Sequence, residues 1–229
     1  MNSHIYIPDL NFNYYGVSLL VSFLVYLIIL VILSIKEKFK DYEIAIITTL
    51  EAIVWLVAIF FFRSSFYALI LITIAGLIFY LIFKPDPKKL FAMLVFSVPL
   101  IYAIGKIGCF VNGCCYGIEY SGPLHVIYEH ADKAPNNTNL FPVQLAETIT
   151  NYIIFIAAII VYHKKKDIRY TLPFNLIACS IVKFALDFLR TPGKHIISLN
   201  QIFCIIAAVI GIILLIRIRK QQTNKDIKK

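Results

Sequence analysis

The chain has 229 residues, of which 60% are hydrophobic and only 15% are charged. A mean hydropathy of +0.80 excludes an ordinary soluble domain and indicates an integral membrane protein. The net charge of +9 comes from short basic runs between apolar segments and at the C-terminus. No basic patch is interleaved with base-stacking aromatic residues in a soluble segment, so nucleic acid is excluded as a partner.

Seven apolar runs are long enough to cross about 30 Å of hydrocarbon at about 1.5 Å of rise per residue. They cover approximately residues 15–35, 44–62, 66–83, 90–111, 143–162, 172–189 and 199–216. The pattern predicts an all-α integral membrane fold, a single transmembrane domain over residues 1–229 built from about seven helices. A secretory signal would require basic residues before its apolar run, and no Lys or Arg precedes the first run here. This run is therefore expected to stay as a membrane span.

The basic residues of the connections predict the orientation. Sixteen Lys or Arg residues follow the first, third, fifth and seventh runs, whereas five lie on the opposite side. By the positive-inside rule, the N-terminus is expected outside and the C-terminus in the cytoplasm. The longest connection, at about residues 117–142, is then external.

Polar side chains from several helices are predicted to meet near their external ends. Ionisable groups at membrane depth usually face a bundle interior or a water-filled cavity, which predicts a site with cations for a phosphate and apolar walls for acyl chains. Helical spacing places these side chains in stripes on the fourth, fifth and sixth runs: Lys106 and Cys109; Gln144, Glu147 and Asn151; Cys179, Lys183, Asp187 and Arg190.

Structural explanations for the same residues stay open. Arg190 and Asp187 lie near a helix end, from which long side chains can snorkel to the interface. Lys183 and Glu147 lie deeper, where a purely structural pair between helices is the alternative to a binding site.

Three of the five cysteines, Cys109, Cys114 and Cys115, fall within seven residues. Their C-x4-C-C spacing differs from that of a zinc knuckle, and residues five apart on a continuous helix point about 140° away from each other. His125 and His130 would complete a metal site only if the external loop folded back. We therefore predict no metal and no cofactor, and small buried cysteines without a reactive role.

The segment from Gly105 to Gly117 resembles the signature of bacterial prolipoprotein diacylglyceryl transferases, G-R-I-G-N-F-x-N-G-E-x-x-G. The residues in register are Gly105, Ile107, Gly108, Phe110, Asn112, Gly113 and Gly117. Four more stretches resemble family motifs: Tyr15-Gly16; residues 141–147 (H-P-T-Q-L-Y-E in the family); residues 183–190 (R-F-x-x-E-F-x-R); and residues 199–202 (T-x-G-Q-x). The resemblance spans most of the chain.

Several family positions carry other residues here. The signature arginine, asparagine and glutamate are replaced by Lys106, Cys109 and Cys114. In the sixth run the family's tyrosine, arginine and glutamate are replaced by Cys179, Lys183 and Asp187, and the family's essential histidine is replaced by Tyr67.

The resemblance implies transfer of diacylglycerol from phosphatidylglycerol to a lipobox cysteine thiol in the signal segment of a precursor lipoprotein. The expected location is the outer leaflet of the bacterial plasma (inner) membrane, as a multi-pass protein in contact with membrane lipids. The implied catalytic residues are Glu147, Asp187 and Tyr67, and the implied substrate-binding residues are Lys106, Lys183, Arg190, Asn112, Gln144, Tyr15 and Cys109. Two alternatives stay open: a non-catalytic lipid-binding homologue, and a membrane enzyme that uses the cysteine cluster.

Overall fold

The computed structural model describes residues 4–8, 14–57, 65–131, 133–190 and 198–226, with the backbone alone at 4, 55–56, 65–73 and 224–226. These residues form eight α-helices and two short strands. In chain order they are β1 (His4–Ile7), α1 (Tyr14–Lys36), α2 (Asp41–Val57), α3 (Ser65–Phe83), α4 (Pro87–Phe96), α5 (Val98–Val111), β2 (His125–Tyr128), α6 (Val143–Lys165), α7 (Thr171–Asp187) and α8 (Leu199–Asp226).

Four helical segments of the described chain are long and apolar enough to cross a membrane. They are Tyr14–Lys36, Pro87–Val111, Val143–Lys165 and Leu199–Thr223. Their outward faces expose large apolar side chains; Ile206 and Ile213 of α8, for example, are 48% and 45% exposed. Contiguous apolar surface of this kind requires a hydrocarbon environment. The prediction of a helical membrane protein is confirmed, and the count of seven spans stays a prediction.

The predicted fourth span is divided at Ser97 into α4 and α5. Pro99 has no N–H to donate to the carbonyl oxygen of Val95, and its ring crowds that carbonyl. Asn175 of α7 supplies the missing donor, because its Nδ2 donates to the carbonyl oxygens of Val95 (3.1 Å) and Phe96 (3.2 Å). Asn175 is only 2% exposed, so a buried side chain of another helix provides a hydrogen-bond donor to the carbonyl oxygens at the break.

Replacing Asn175 by leucine is expected to lower the stability of the detergent-solubilised protein. The change removes the Nδ2 donor that two buried carbonyl oxygens share, and the oxygen of Val95 keeps only the N–H of Ser97. Loss of this donor should cost about 1–3 kcal/mol. The melting temperature should fall by about 2–4 °C for each kcal/mol lost. Asn200→Leu is the matched control, because Asn200 is exposed in the first turn of α8. Equal melting temperatures for the two variants would contradict the role of Asn175.

One end of the bundle collects the basic helix termini. Lys89 Nζ lies 2.9 Å from Glu37 Oε2, and the Tyr162 hydroxyl donates to Glu37 Oε1 at 2.7 Å. Lys88 Nζ donates to Gln221 Oε1 at 2.7 Å. The end of α1, the start of α4 and the ends of α6 and α8 therefore lie together. The basic connections share one end of the bundle, as predicted.

The opposite end carries a small sheet that the sequence analysis did not predict. β1 pairs in parallel with β2, from His4 beside His125 to Ile7 beside Tyr128. Leu140 forms an antiparallel bridge with Val126 of β2 and is 1% exposed. The expectation of an all-α fold was wrong here, because two four-residue strands far apart in the sequence show too little alternation to be recognised. The connection before α6 is therefore an ordered structure.

Candidate active site

Glu147, near the start of α6, is the centre of the candidate site. Its side chain is 1% exposed and its carboxylate oxygens lie 2.8 Å from Lys106 Nζ, 2.7 Å from Lys183 Nζ and 2.8 Å from Arg190 Nη2. These cations come from α5, from α7 and from the turn after α7. The structure thus brings together four of the residues that were predicted to meet.

The charges of this cluster do not cancel. Three cations surround one carboxylate, so two positive charges remain. Glu147 Oε1 accepts hydrogen bonds from Lys183 and Arg190, and Oε2 accepts a second one from Arg190 and lies in ion-pair contact with Lys106. A carboxylate has about four lone-pair sites. These four contacts match that number, and the Tyr102 hydroxyl adds a longer contact of 3.2 Å to Oε1. Because excess charge away from water is costly, the cluster is suited to an anionic ligand.

Tyr102 completes the cluster and was missed by the sequence analysis. Its hydroxyl donates to Glu147 Oε1 at 3.2 Å and accepts from Lys183 Nζ at 3.0 Å. The ammonium groups of Lys106 and Lys183 lie 5.1 and 5.7 Å from the centre of its ring, within the range of cation–π attraction. The signal was present, since Tyr102 precedes Lys106 by four residues and so shares its helix face.

Buried polar atoms of three residues that were predicted to bind substrate offer further contacts. Asn112 Oδ1, Gln144 Oε1 and Arg190 Nε have no hydrogen-bond partner within the described residues. Gln144 itself is held in place, because its Nε2 donates to the carbonyl oxygen of Cys114 at 3.0 Å. Two free acceptors and one free donor beside excess positive charge suit a ligand that has both hydroxyl groups and anionic oxygens.

Backbone contacts position Arg190. Gly117 forms an antiparallel bridge with Arg190, and the N–H of Ile118 donates to the carbonyl oxygen of Leu189 at 3.0 Å. A Cβ at Gly117 would overlap the carbonyl oxygens of Phe141 and Leu189. Glycine is therefore required where the loop after α5 meets the end of α7.

Tyr15 lies in the first turn of α1, against α5. Its carbonyl oxygen accepts a hydrogen bond from the Ser18 hydroxyl at 2.8 Å. A Cβ at Gly108 of α5 would lie 3.0 Å from the Cα of Tyr15 and would overlap the Ser18 side chain. The described contacts give Tyr15 a packing role, and its predicted contact with substrate stays a prediction.

Asp187 lies at the junction of α7 and α8. It accepts a hydrogen bond from the hydroxyl of Ser198. The Ser198 hydroxyl also accepts from the N–H of Gln201 at 3.1 Å, while Gln201 Oε1 accepts from the N–H of Ser198 at 2.9 Å, which is a capping box. Asp187 is one helical turn from Lys183, but it is not among the described contacts of Glu147.

The side chain of Tyr67, in α3, lies outside the described residues. Cys179 contacts Asn151 and is not part of the described ion pairs. Cys179 Sγ donates to Asn151 Oδ1 at 3.9 Å, and Asn151 Nδ2 donates to the carbonyl oxygen of Glu147 at 2.7 Å. This chain of contacts joins α7 to α6 just below the carboxylate.

The C-terminus of α5 ends in a Schellman motif. Gly113 has a φ of +66°, its N–H donates to the carbonyl oxygen of Phe110 at 3.3 Å, and the N–H of Cys114 donates to that of Cys109 at 3.0 Å. In this motif the residue after the left-handed glycine returns to the last helical turn and contacts it. Cys114 is therefore folded back onto Cys109.

The three clustered cysteines are consequently neighbours. The sulfur atoms of Cys109, Cys114 and Cys115 all lie within 4.8 Å of one another. The expectation that these side chains point apart was wrong, because it assumed a continuous helix. Hydrogen bonds from Cys109 and Cys114 lower the pKa of the Cys115 thiol below its ordinary value; burial opposes this effect, and the positive charges of Lys106 and Arg190 add to it.

The chain matches the family model described as prolipoprotein diacylglyceryl transferase over residues 3–217. It belongs to this family. A relative named phosphatidylglycerol–prolipoprotein diacylglyceryl transferase 2, from Clostridium perfringens, is 29% identical over 145 residues, which are 62% of this chain and 57% of the relative. A transferase of the same name, without the number, from Clostridium tetani is 29% identical over 143 residues, 59% and 57% of the two chains. One from Dehalococcoides mccartyi strain 195 is 31% identical over 115 residues, 49% and 42%.

The chain thus spans between 42% and 57% of the length of these three relatives. The resemblance to the family motifs predicts arginines at the positions of Lys106 and Lys183. Each ammonium group forms its ion pair with a single oxygen of Glu147. This is the contact of a point charge, whereas a guanidinium can clamp two oxygens at once.

Proposed function

We propose that this protein transfers the diacylglyceryl group of phosphatidylglycerol to the thiol of a lipobox cysteine in a precursor lipoprotein, with glycerol phosphate as the leaving group. The observation that carries the proposal is the cluster of three cations on one buried carboxylate, Glu147, with two positive charges in excess. Membership of the family supports it, as do the names of the relatives.

The excess charge matches the charge that develops in this reaction. The phosphodiester of phosphatidylglycerol carries one negative charge. When the bond between the diacylglyceryl carbon and the phosphate oxygen breaks, a second negative charge appears on the leaving phosphate. Cations held in place before the reaction interact more strongly with the more highly charged transition state, and this difference accelerates the reaction.

The buried amides are suited to the glycerol head group. Asn112 Oδ1 and Gln144 Oε1 are free acceptors for its hydroxyl groups, and Arg190 Nε is a free donor for a phosphate oxygen. Lys106 and Lys183 of the ion-pair cluster hold the phosphate electrostatically. The head group is thereby recognised through both its hydroxyl groups and its charge.

Glu147 and Asp187 receive different roles in this proposal. The contacts of Glu147 fill its acceptor capacity, so we assign it as the residue that positions the cations. Within the described residues, Asp187 accepts a hydrogen bond from Ser198, which uses one of the roughly four lone-pair sites of its carboxylate. It lies one turn beyond Lys183 and is the candidate base for the acceptor thiol. Tyr67 stays a candidate from the family pattern.

The proposed setting is the bacterial inner membrane, with seven spans, the N-terminus outside and the C-terminus in the cytoplasm. The basic termini lie at one end of the bundle, and the candidate site lies toward the other, near the start of α6. The positive-inside rule assigns the basic end to the cytoplasm. The site then faces the outer leaflet, where precursor lipoproteins present their signal segments.

The test uses the purified full chain with vesicles containing phosphatidylglycerol and a lipobox peptide. We expect release of glycerol phosphate and formation of a thioether peptide. Lys183→Ala should lower the rate by about 100-fold or more, as loss of one donor to a developing anion does elsewhere. Lys133→Ala is the matched control, because Lys133 is exposed in the connection before α6.

Complementation of a strain depleted of its transferase gives the second readout. Growth with the wild-type chain and with Lys133→Ala, but not with Lys183→Ala, is the expected result. A wild-type chain that folds in the membrane but releases no glycerol phosphate and rescues no growth would overturn the proposal. That outcome would favour the non-catalytic lipid-binding alternative.

A further inference from the structure

The thiols of Cys109, Cys114 and Cys115 have no role in the proposed transfer as described above. We infer that they form a three-thiolate site for a zinc-like ion whose fourth coordination position is open to an acceptor thiol. Binding of the ion rests on the geometry of the three sulfur atoms, which lie within 4.8 Å of one another. The role of the acceptor thiol also rests on the proposed function.

The backbone already holds the three residues near the required geometry. Zinc–sulfur bonds of about 2.3 Å in a tetrahedral site place the sulfur atoms about 3.8 Å apart. Sulfur atoms within 4.8 Å of one another therefore need to approach by at most about 1 Å. The Schellman motif and the hydrogen bond from Gln144 to the carbonyl oxygen of Cys114 fix the turn. Cys115 is the most accessible of the three thiols and gives the ion a route in, while Cys109 is buried.

The surrounding charges favour the loaded site. A divalent ion with three thiolates is a complex of net charge −1, and a fourth thiolate makes it −2. Lys106 and Arg190 act electrostatically on Cys115 and belong to the cluster that has two positive charges in excess. These cations would repel an isolated metal ion, but they stabilise an anionic metal–thiolate complex.

An open position on such an ion provides a way to activate the acceptor. A thiol that coordinates zinc is deprotonated, and its proton passes to water. The bound sulfur then forms a bond to the glycerol carbon of the lipid, the bond from that carbon to the phosphate oxygen breaks, and its electron pair stays on the leaving phosphate. No electron is gained or lost overall. Tyr67 stands at the family's histidine position, so a thiolate supplied by the ion would take over the deprotonation otherwise assigned to Asp187.

The site is tested with Co²⁺ alone on the reduced, detergent-solubilised full chain. We expect one ion per chain, with sulfur-to-cobalt charge-transfer absorption and the visible bands of a tetrahedral site. Cys109→Ser, Cys114→Ser or Cys115→Ser should each weaken Co²⁺ binding by more than about 100-fold, because loss of a group that only supports a metal ligand already costs about 10–100-fold. Cys179→Ser and Cys204→Ser, in α7 and α8, are matched controls that should bind Co²⁺ normally.

The acceptor role is tested on the same cobalt-loaded protein. A lipobox peptide with its cysteine should shift the visible bands, whereas the peptide with serine in that position should not. Absence of bound Co²⁺, or a disulfide between two of the three cysteines in the native protein, would overturn the site. Bound Co²⁺ with bands indifferent to the cysteine peptide would overturn the acceptor role. An intact cobalt site without any release of glycerol phosphate would count against the transfer reaction alone.

Discussion

Glu147→Gln is expected to abolish diacylglyceryl transfer and to destabilise the protein. The change removes the only negative charge from a cluster that holds Lys106, Lys183 and Arg190. Removing one partner of a buried ion pair typically costs about 3–5 kcal/mol, because the remaining charges are left uncompensated. The cations then separate, and the phosphate site is lost with them. Release of glycerol phosphate and the melting temperature are the two measurements.

Two comparisons isolate the cause. Glu119→Gln removes a carboxylate that is exposed in the connection before α6, and it should leave both measurements unchanged. A double variant, Glu147→Gln with Lys106→Met, removes a cation as well. It should regain part of the lost stability without regaining activity, since residues in direct contact are energetically coupled. Normal melting and normal transfer by Glu147→Gln would show that the carboxylate does not hold the cluster together.

Gly108→Ala is expected to reduce the amount of folded protein strongly. The new methyl group would lie 3.0 Å from the Cα of Tyr15 and would overlap the side chain of Ser18. A backbone atom cannot rotate away, so α1 and α5 have to separate. Overpacking of this kind typically costs about 1–3 kcal/mol. Yield of folded protein in the membrane and melting temperature in detergent measure the effect.

Gly105→Ala is the matched control for this variant. It makes the same change on the same helix, one turn away, where a Cβ would have no heavy atom within 4 Å. Alanine is favoured over glycine by about 1 kcal/mol inside a helix, so stability should stay the same or rise slightly. Equal losses in the two variants would mean that the helix, and not the contact with α1, is sensitive to the substitution.

The ion-pair cluster was accessible from the sequence for a simple reason. Charged residues inside apolar segments are conspicuous, and the helical period fixes the face on which each one lies. Lys106, Glu147 and Lys183 could therefore be placed at one depth before any coordinates were considered. Tyr102 escaped notice because an aromatic residue in an apolar helix is unremarkable until its neighbours are known.

Features that depend on backbone turns were harder to predict. The proximity of Cys109 and Cys114 follows from one left-handed residue, Gly113, with a φ of +66°. A glycine followed by a polar stretch is a helix-end signal, and its use would have placed Cys114 against the last turn of α5. The break at Ser97 depends on Asn175 of another helix, which no local pattern reveals.

The pairing of β1 with β2 restricts how the chain is threaded. Because β1 and β2 are hydrogen-bonded to each other, both strands lie on one side of the bilayer. In the chain, β1 precedes α1 and β2 follows α5. A chain that returns to its starting side has made an even number of traverses in between. Tyr14–Lys36 and Pro87–Val111 are each long enough to cross the bilayer once. It follows that α2 and α3 either both cross the bilayer or both remain on one side of it. The pairing also sets an order of events during membrane insertion. His4–Ile7 is synthesised first and stays unpaired until His125–Tyr128 has reached the same side of the bilayer.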